Sequence, residues 1–281
     1  MKKRIFLTIL MVCLFVLTFG FNEQAQAVFF GLGVDKKVET GKCSDLDVGE
    51  LFKVPNASAV YIINDNGNRL YFPNEDVFYS WYSDFSGLIT IPNECVDNYP
   101  APNKAPFGVN YKPGSKLIKT AYNNIVYAVG PSSTKYKIAS ESVARSLYGE
   151  NWSKLVAVVP DVFWPNYVNI GDEITSAIPH DGMIVLHEPI GTAEKNAYYV
   201  HNGKLLKIHN DFNRFSFGDN IEIIEIPGFI PSYKLHIKKI NNEIFNSLEI
   251  LENEIDVFGI FLLYESFSIN NLDIYLNSLN N

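Results

Sequence analysis

A pattern recurs along this 281-residue chain at a spacing of about 66 residues, twice clearly and a third time in weaker form. The copies run from Gly49 to Tyr99, from Gly114 to Tyr167 and from Gly182 to Tyr233. Each opens at a glycine and closes on a Pro…Tyr step. A unit this short buries too little apolar surface to stand alone. The copies must therefore pack on one another, and the fold has to be a body of similar parts. Such a body presents surfaces more readily than it encloses one reaction centre.

Inside each copy the pattern predicts three short strands. They are Gly49–Val54, Ala59–Ile63 and Leu70–Phe72 in the first, and Gly114–Lys119, Ile125–Val129 and Tyr136–Ile138 in the second. The third has Gly182–Leu186, Ala197–Val200 and Leu205–Ile208. Asn66-Gly67 and Asn202-Gly203 mark hairpins, because both residue types tolerate positive φ. A short helix follows. Asn74 and Ser140 are the expected caps, Glu75, Asp76 and Glu141 suit the positive end, and Gly149 is the expected stop. Val77 with Trp81, and Val143 with Leu147, fall four apart on one face. Val77 answers to Val143, and Tyr82 to Tyr148, at a constant offset of 66 residues. Ile91-Pro92 answers to Val159-Pro160, and Ile226-Pro227 recurs in the third copy. There Phe212, Phe215 and Phe217 replace a clean capped helix. The expected fold class is α+β, mostly β: tandem modules of three to four short strands with one short helix.

The ends read differently. Lys2, Lys3 and Arg4, an apolar run from Ile5 to Phe19, and Ala25-Gln26-Ala27 have the order of a secretory signal peptide, with cleavage expected after Ala27. The apolar run is short for a membrane span. The expected organisation is a signal peptide at 1–27, a leader at 28–48, and repeats at 49–103, 104–171 and 172–239. An acidic, apolar segment at 240–281 follows, holding seven acidic residues and no basic one. Its run Val257–Tyr264 suits a strand, a buried helix or an oligomer contact. Asn98–Pro113 and Ile170–Asp181 read as connections. Two cysteines remain outside the signal, Cys43 and Cys95; export permits a bridge, and two lone buried thiols are the alternative.

The whole chain carries a net charge of −8. An acidic surface disfavours nucleic acid as a partner, and Lys234, Lys238 and Lys239 are too few for a phosphate-binding stripe. Among candidates for chemistry, His180-Asp181 with His187-Glu188 is the best metal cluster, but its spacing is generic and no His-Glu-x-x-His or Cys-x-x-Cys motif is present. Asp84, Glu150 and Asp161 could pair as glycosidase carboxylates, yet they stand at turns and helix ends, where acids satisfy backbone N–H groups. No Gly-x-Ser-x-Gly elbow and no phosphate-cradling glycine loop occurs. No metal and no cofactor is expected. The aromatic residues Trp81, Tyr82, Tyr148, Trp152 and Trp164 are the candidate binding surface, with core packing as the alternative reading. Trp164, beside Pro165, has the best case for exposure.

Several runs together resemble a tandem repeat of secreted and cell-surface proteins in candidate-phylum bacteria of the Parcubacteria type. They are Lys116–Lys119, Val126–Val129, Ser140–Ala144, Leu147–Trp152 and Val159–Phe163, with Tyr71–Glu75 and Trp81–Gly87 in the first copy. The resemblance covers roughly 49–172 and carries no assigned activity; it implies a surface role. The expected function is therefore an exported, non-enzymatic cell-surface or envelope-associated protein. It would bind a wall polymer, a glycan or a partner protein, with no stable membrane span once the signal is removed. The alternatives are a secreted hydrolase of wall glycan or peptide, and a self-associating structural envelope component.

Overall fold

The computed structural model describes residues 43, 45–82, 84–85, 87–208, 222–225 and 234–255. The signal peptide, most of the leader, Phe212, Phe215, Phe217, Ile226-Pro227, Tyr233 and the 257–264 run lie outside the described residues.

The fold is α+β and mostly β, with three small mixed sheets. The first holds β1 (Leu51–Lys53), β2 (Tyr61–Ile63), β3 (Arg69–Tyr71) and β4 (Ile89–Thr90), in the order β3-β2-β1-β4; helix α1 (Glu75–Trp81) precedes β4. The second holds β5 (Leu117–Lys119), β6 (Tyr127–Val129), β7 (Thr134–Ile138), β8 (Val156–Val158) and β9 (Asn169–Ile174), in the order β8-β5-β6-β7-β9, with α2 (Glu141–Tyr148) between β7 and β8. The third holds β10 (Ile184–His187), β11 (Asn196–His201), β12 (Lys204–Ile208), β13 (Glu222–Glu225), β14 (Lys234–Ile240) and β15 (Ile250–Ile255), in the order β13-β14-β10-β11-β12-β15; α3 (Asn242–Asn246) precedes β15.

One connectivity runs through all three sheets. Three antiparallel strands come first, and a later strand returns parallel to the first of them: β4 on β1, β8 on β5, β14 on β10. A strand from the chain leaving the sheet then pairs parallel to the third. This is β9 on β7 and β15 on β12, reduced to a single bridge, Tyr71 to Gly108, in the first sheet. The stretch read from the sequence as a connection after Ile170 is thus part of an edge strand. Likewise, residues 240–255 complete the third sheet.

Local chemistry explains where these elements begin. Glu50, Ser115 and Met183 donate their N–H to the carbonyls of Asp47, Lys112 and His180, so each sheet is entered through a tight turn. The third turn residues, Gly49, Gly114 and Gly182, have φ of 85°, 75° and 86°, which a side chain resists. Their own N–H groups reach the carbonyls of Ile63, Val129 and Val200 at the far end of the second strand. The helix caps form as the sequence requires: Asn74 and Ser140 accept from the N–H of Val77 and Val143. Asn202 and Gly203 both take positive φ in a two-residue hairpin turn. Asn66-Gly67 behaves differently. Only Gly67 is left-handed, and Asn64 Oδ1 accepts from the N–H of Asn66 and Asn68, which makes a longer loop.

Packing joins the sheets in series. The helix-side residues of the first unit, Leu51, Ile62, Leu70, Val77, Phe78 and Trp81, share one core with Ile118 and Val129 on the opposite face of the second sheet. The helix-side residues of the second unit, Leu117, Ala128, Ile138, Val143 and Leu147, share another with Val185, Val200 and Leu205 of the third. Complete burial of side chains such as Leu117 and Ile118 stabilises the fold by about 1.5–3 kcal/mol each. The other face of the third sheet, through Ile184, Leu186, Tyr199, Leu206 and Ile237, joins the first core. Phe52 and Ile63, on the back of the first sheet, form a separate cluster with Leu46, Ile91, Cys95 and Tyr99.

Candidate binding surface

The five aromatic candidates do not form a common platform. Trp81 and Tyr82 end α1 and face inward, because the helical stripe that carries Val77 is the buried one. Trp81 Nε1 donates to the carbonyl of Asn110 at 2.8 Å, and the Lys112 ammonium sits 5.7 Å above its ring. Tyr82 packs against Phe72 and Phe78, with ring centroids 6.1 and 5.3 Å away. Tyr148, at the matching place in α2, is also buried. Trp152 opens a 3₁₀ turn and lies half-buried against the second core. Trp164 opens another, half-buried between Tyr127 at 5.5 Å and Tyr167 at 6.0 Å, with the Lys135 ammonium 5.4 Å over its ring. For Trp81, Tyr82 and Tyr148 the expectation of a contact surface is corrected: their rings carry the joints between helix and sheet. Trp152 and Trp164 alone of the five keep partial exposure.

The groups able to do chemistry are tied into the same joints. His180 Nδ1 donates to the carbonyl of Asp181 at 2.8 Å, which leaves Nε2 to accept the Tyr148 hydroxyl at 2.6 Å. Burial pushes the His180 imidazole down to about 4, against a smaller opposing pull from Asp181. His187 stacks on Phe245 with centroids 3.7 Å apart and meets Asn242 Oδ1 at 2.6 Å. The cluster weighed and set aside in the sequence, His180-Asp181 with His187-Glu188, is not brought together around one point. The two imidazoles are committed to different neighbours, Glu188 faces Lys195 and Lys239, and Asp181 accepts the N–H of Gly203. No group of three or more His, Cys, Asp or Glu is placed to hold a metal among the described residues. Asp84 and Asp161 are exposed, and Glu150 pairs with Arg145 at 3.4 Å.

Cys43 and Cys95 are joined by a disulfide. It fastens the chain entering the first sheet to the 3₁₀ helix Asn93–Asn98 that follows β4. The chain entering the second unit is held at Gly108 by a bridge to the first sheet, and the chain entering the third is held as β9. Ahead of the first described sheet, the cross-link does the holding.

A small cavity lies between the first two units, lined by Asn74, Val77, Asn110, Tyr111, Val159 and Asn166 among others. Its volume is about 10 Å³, room for one water. Among the described residues Asn110 Oδ1 is buried without a hydrogen-bond partner, while Nδ2 donates to the carbonyl of Asn166.

No protein-family model matches the chain, and no curated protein matches it. Among solved structures, the periplasmic assembly from the ESX-5 inner membrane complex aligns with 77% of this chain and 62% of that one, at 10% identity and a TM-score of 0.18. This chain therefore spans less than two thirds of that chain's length, and a likeness at that TM-score carries no argument. Among the described residues, no helix is long and apolar enough to cross a membrane.

Sequence reasoning missed the side chains that do face solvent. Tyr122 is 88% exposed in the β5–β6 loop, and Ile190 is 87% exposed in the corresponding β10–β11 loop. Ile170 on edge strand β9 is 76% exposed. The available signal was position: each of the first two stands a few residues past its strand, in a loop without alternating pattern.

Proposed function

We propose that the chain is an exported, non-enzymatic binding protein of the cell envelope, built from three copies of one module. Its contact residues are Tyr122 and Ile190 at corresponding loop positions, with Ile170 and Trp164 as further, separately placed candidates. One observation carries this reading: the described histidines and Lys135 are already engaged by partners within the protein. Of the described histidines, His180, His187, His201 and His236 each have a hydrogen-bond partner in the protein. Lys135 donates to the carbonyl of Tyr167. Large apolar groups, by contrast, project from corresponding loops. Scattered exposed apolar residues need no explanation; two at corresponding loop positions do.

Binding would then rest on shape and apolar contact with a wall polymer, glycan or envelope protein, without a covalent step. The test is retention of the full chain on purified cell envelopes. Saturable retention that Tyr122→Ser with Ile190→Ser abolishes, while thermal stability is unchanged, supports the reading. Retention unaffected by these changes, or hydrolysis of envelope glycan or peptide by the purified chain, overturns it.

A further inference from the structure

The turns that enter the second and third sheets begin with different residues doing one job. Lys112 starts the turn into the second sheet. Its N–H donates to Ser80 Oγ in α1 at 3.1 Å, and its ammonium lies over Trp81 of the same helix. His180 starts the turn into the third sheet and takes the Tyr148 hydroxyl of α2. In both cases the first turn residue reaches back onto the last turn of the preceding helix, and in both cases it is buried.

We propose that the joint between the second and third units is an acid-triggered hinge, locked by neutral His180, whereas the joint between the first and second has Lys112 at the corresponding place and no imidazole. The geometry supplies the lock. His180 is 7% exposed, with the Tyr136 ring of β7 centred 5.3 Å from its imidazole and the Tyr148 ring of α2 at 6.3 Å. Asp181 belongs to its own turn. Tyr199 of β11 and Asp172 of β9 complete the titratable surroundings through their interactions with Asp181 and Tyr136.

In the neutral ring Nε2 accepts the Tyr148 hydroxyl, so a proton of its own requires that hydroxyl to turn away. A second proton on the ring would put a cation among phenols with one carboxylate nearby, out of reach of water. The fold therefore holds His180 below its ordinary value. Stability from the neutral ring is complete above the unfolded value and is lost as pH falls toward about 4. The same joint has a second close fit, since Gly182 lies against Pro113 and Pro131 of the second unit, so release of His180 frees a specific surface.

The test is hydrogen exchange followed by mass spectrometry on the full chain at about pH 7 and about pH 4.5, with labelling times scaled for intrinsic chemistry. One proton taken up on opening shifts the opening equilibrium by about tenfold per pH unit across the window. Wild type should gain about that much exchange on acidification in peptides covering α2 and 176–187, with little change in peptides covering α1 and 105–115. His180→Gln, which accepts from Tyr148 but takes no charge, should remove the acid response. Lys112→His should create one at the first joint, and that arm reads the idea even if His180→Gln fails to fold. Equal opening at both joints in wild type, an acid response that survives His180→Gln, or no new response in Lys112→His overturns the proposal.

Discussion

The phenol of Tyr99 accepts the backbone N–H of Leu46, 53 residues earlier, at 2.7 Å. Tyr167 repeats the arrangement with the N–H of Tyr111 at 3.2 Å. The carbonyls of the same two tyrosines accept from Arg69 and Lys135, which stand at corresponding places near the start of β3 and β7. Each closing tyrosine thus pins the chain that enters its sheet and is itself held by a cation from that sheet. Replacing either phenol strands a buried N–H. Tyr99→Phe and Tyr167→Phe should each cost about 1–3 kcal/mol, read as a lower midpoint in urea with unchanged slope. No change in either midpoint would show that water replaces the phenol. Pro179 stands at the third corresponding position and has no N–H to offer.

Loss of the cross-link should loosen the first unit more than the others. Cys43 and Cys95 close a loop with a sequence separation of 52. Cys43→Ser with Cys95→Ser should destabilise by about 2–5 kcal/mol, and amide exchange should rise first in β1, β2 and the 93–98 helix. A uniform rise across all three sheets would mean that the bridge stabilises the body as a whole.

Gly171 and Tyr136 test close packing across strands. A Cβ on Gly171 would fall 2.1 Å from the Tyr136 ring, and one on Gly130 2.3 Å from it, so the ring lies flat across both glycines. Gly171→Ala should cost about 1–3 kcal/mol. Much of that cost should vanish in a Tyr136→Ala background, with a coupling of about 0.5–3 kcal/mol in a double-mutant cycle. Additive losses would show that backbone conformation, not the ring, requires the glycine.

Alkaline pH should reveal the buried phenols. Burial pushes Tyr111 up to about 12, with Asp76 adding to it, and Tyr136 up to about 12, with Asp181 and Asp172 adding to it. Because the folded values are raised, their stabilisation is complete below the unfolded value near 10 and is lost as pH rises toward 12. Ultraviolet titration should show a late phenolate phase in that range, coincident with loss of near-ultraviolet circular dichroism. Complete ionisation near 10 with the fold intact would contradict the burial of these rings.

Much of the secondary structure was legible because its causes are local. Asn74 and Ser140 cap because their side chains reach an N–H three residues on. Gly149 ends α2 because its φ of 83° excludes a side chain. Strand β9 was not legible, because Ile170 and Asp172 show little alternation and the strand exists only through pairing with β7. The joints were half legible. Val77 and Trp81 declared a buried stripe, but nothing in the spacing says that Trp81 meets Lys112 or that Tyr148 meets His180, 32 residues away.

The sequence by itself determined the three antiparallel strands of each copy, the caps of the first two helices and the mostly β class, since each follows from φ preference, side-chain reach or periodicity within a few residues. Only the tertiary structure decided which aromatic rings are inside. Trp81 and Tyr148 disappear into joints because the helix side of one sheet is covered by the back of the next, while Tyr122 and Ile190 stay in solvent because no element among the described residues covers their loop tips. Burial is a property of what lies opposite a residue in space, and the residue opposite is fixed by packing between elements distant in the chain.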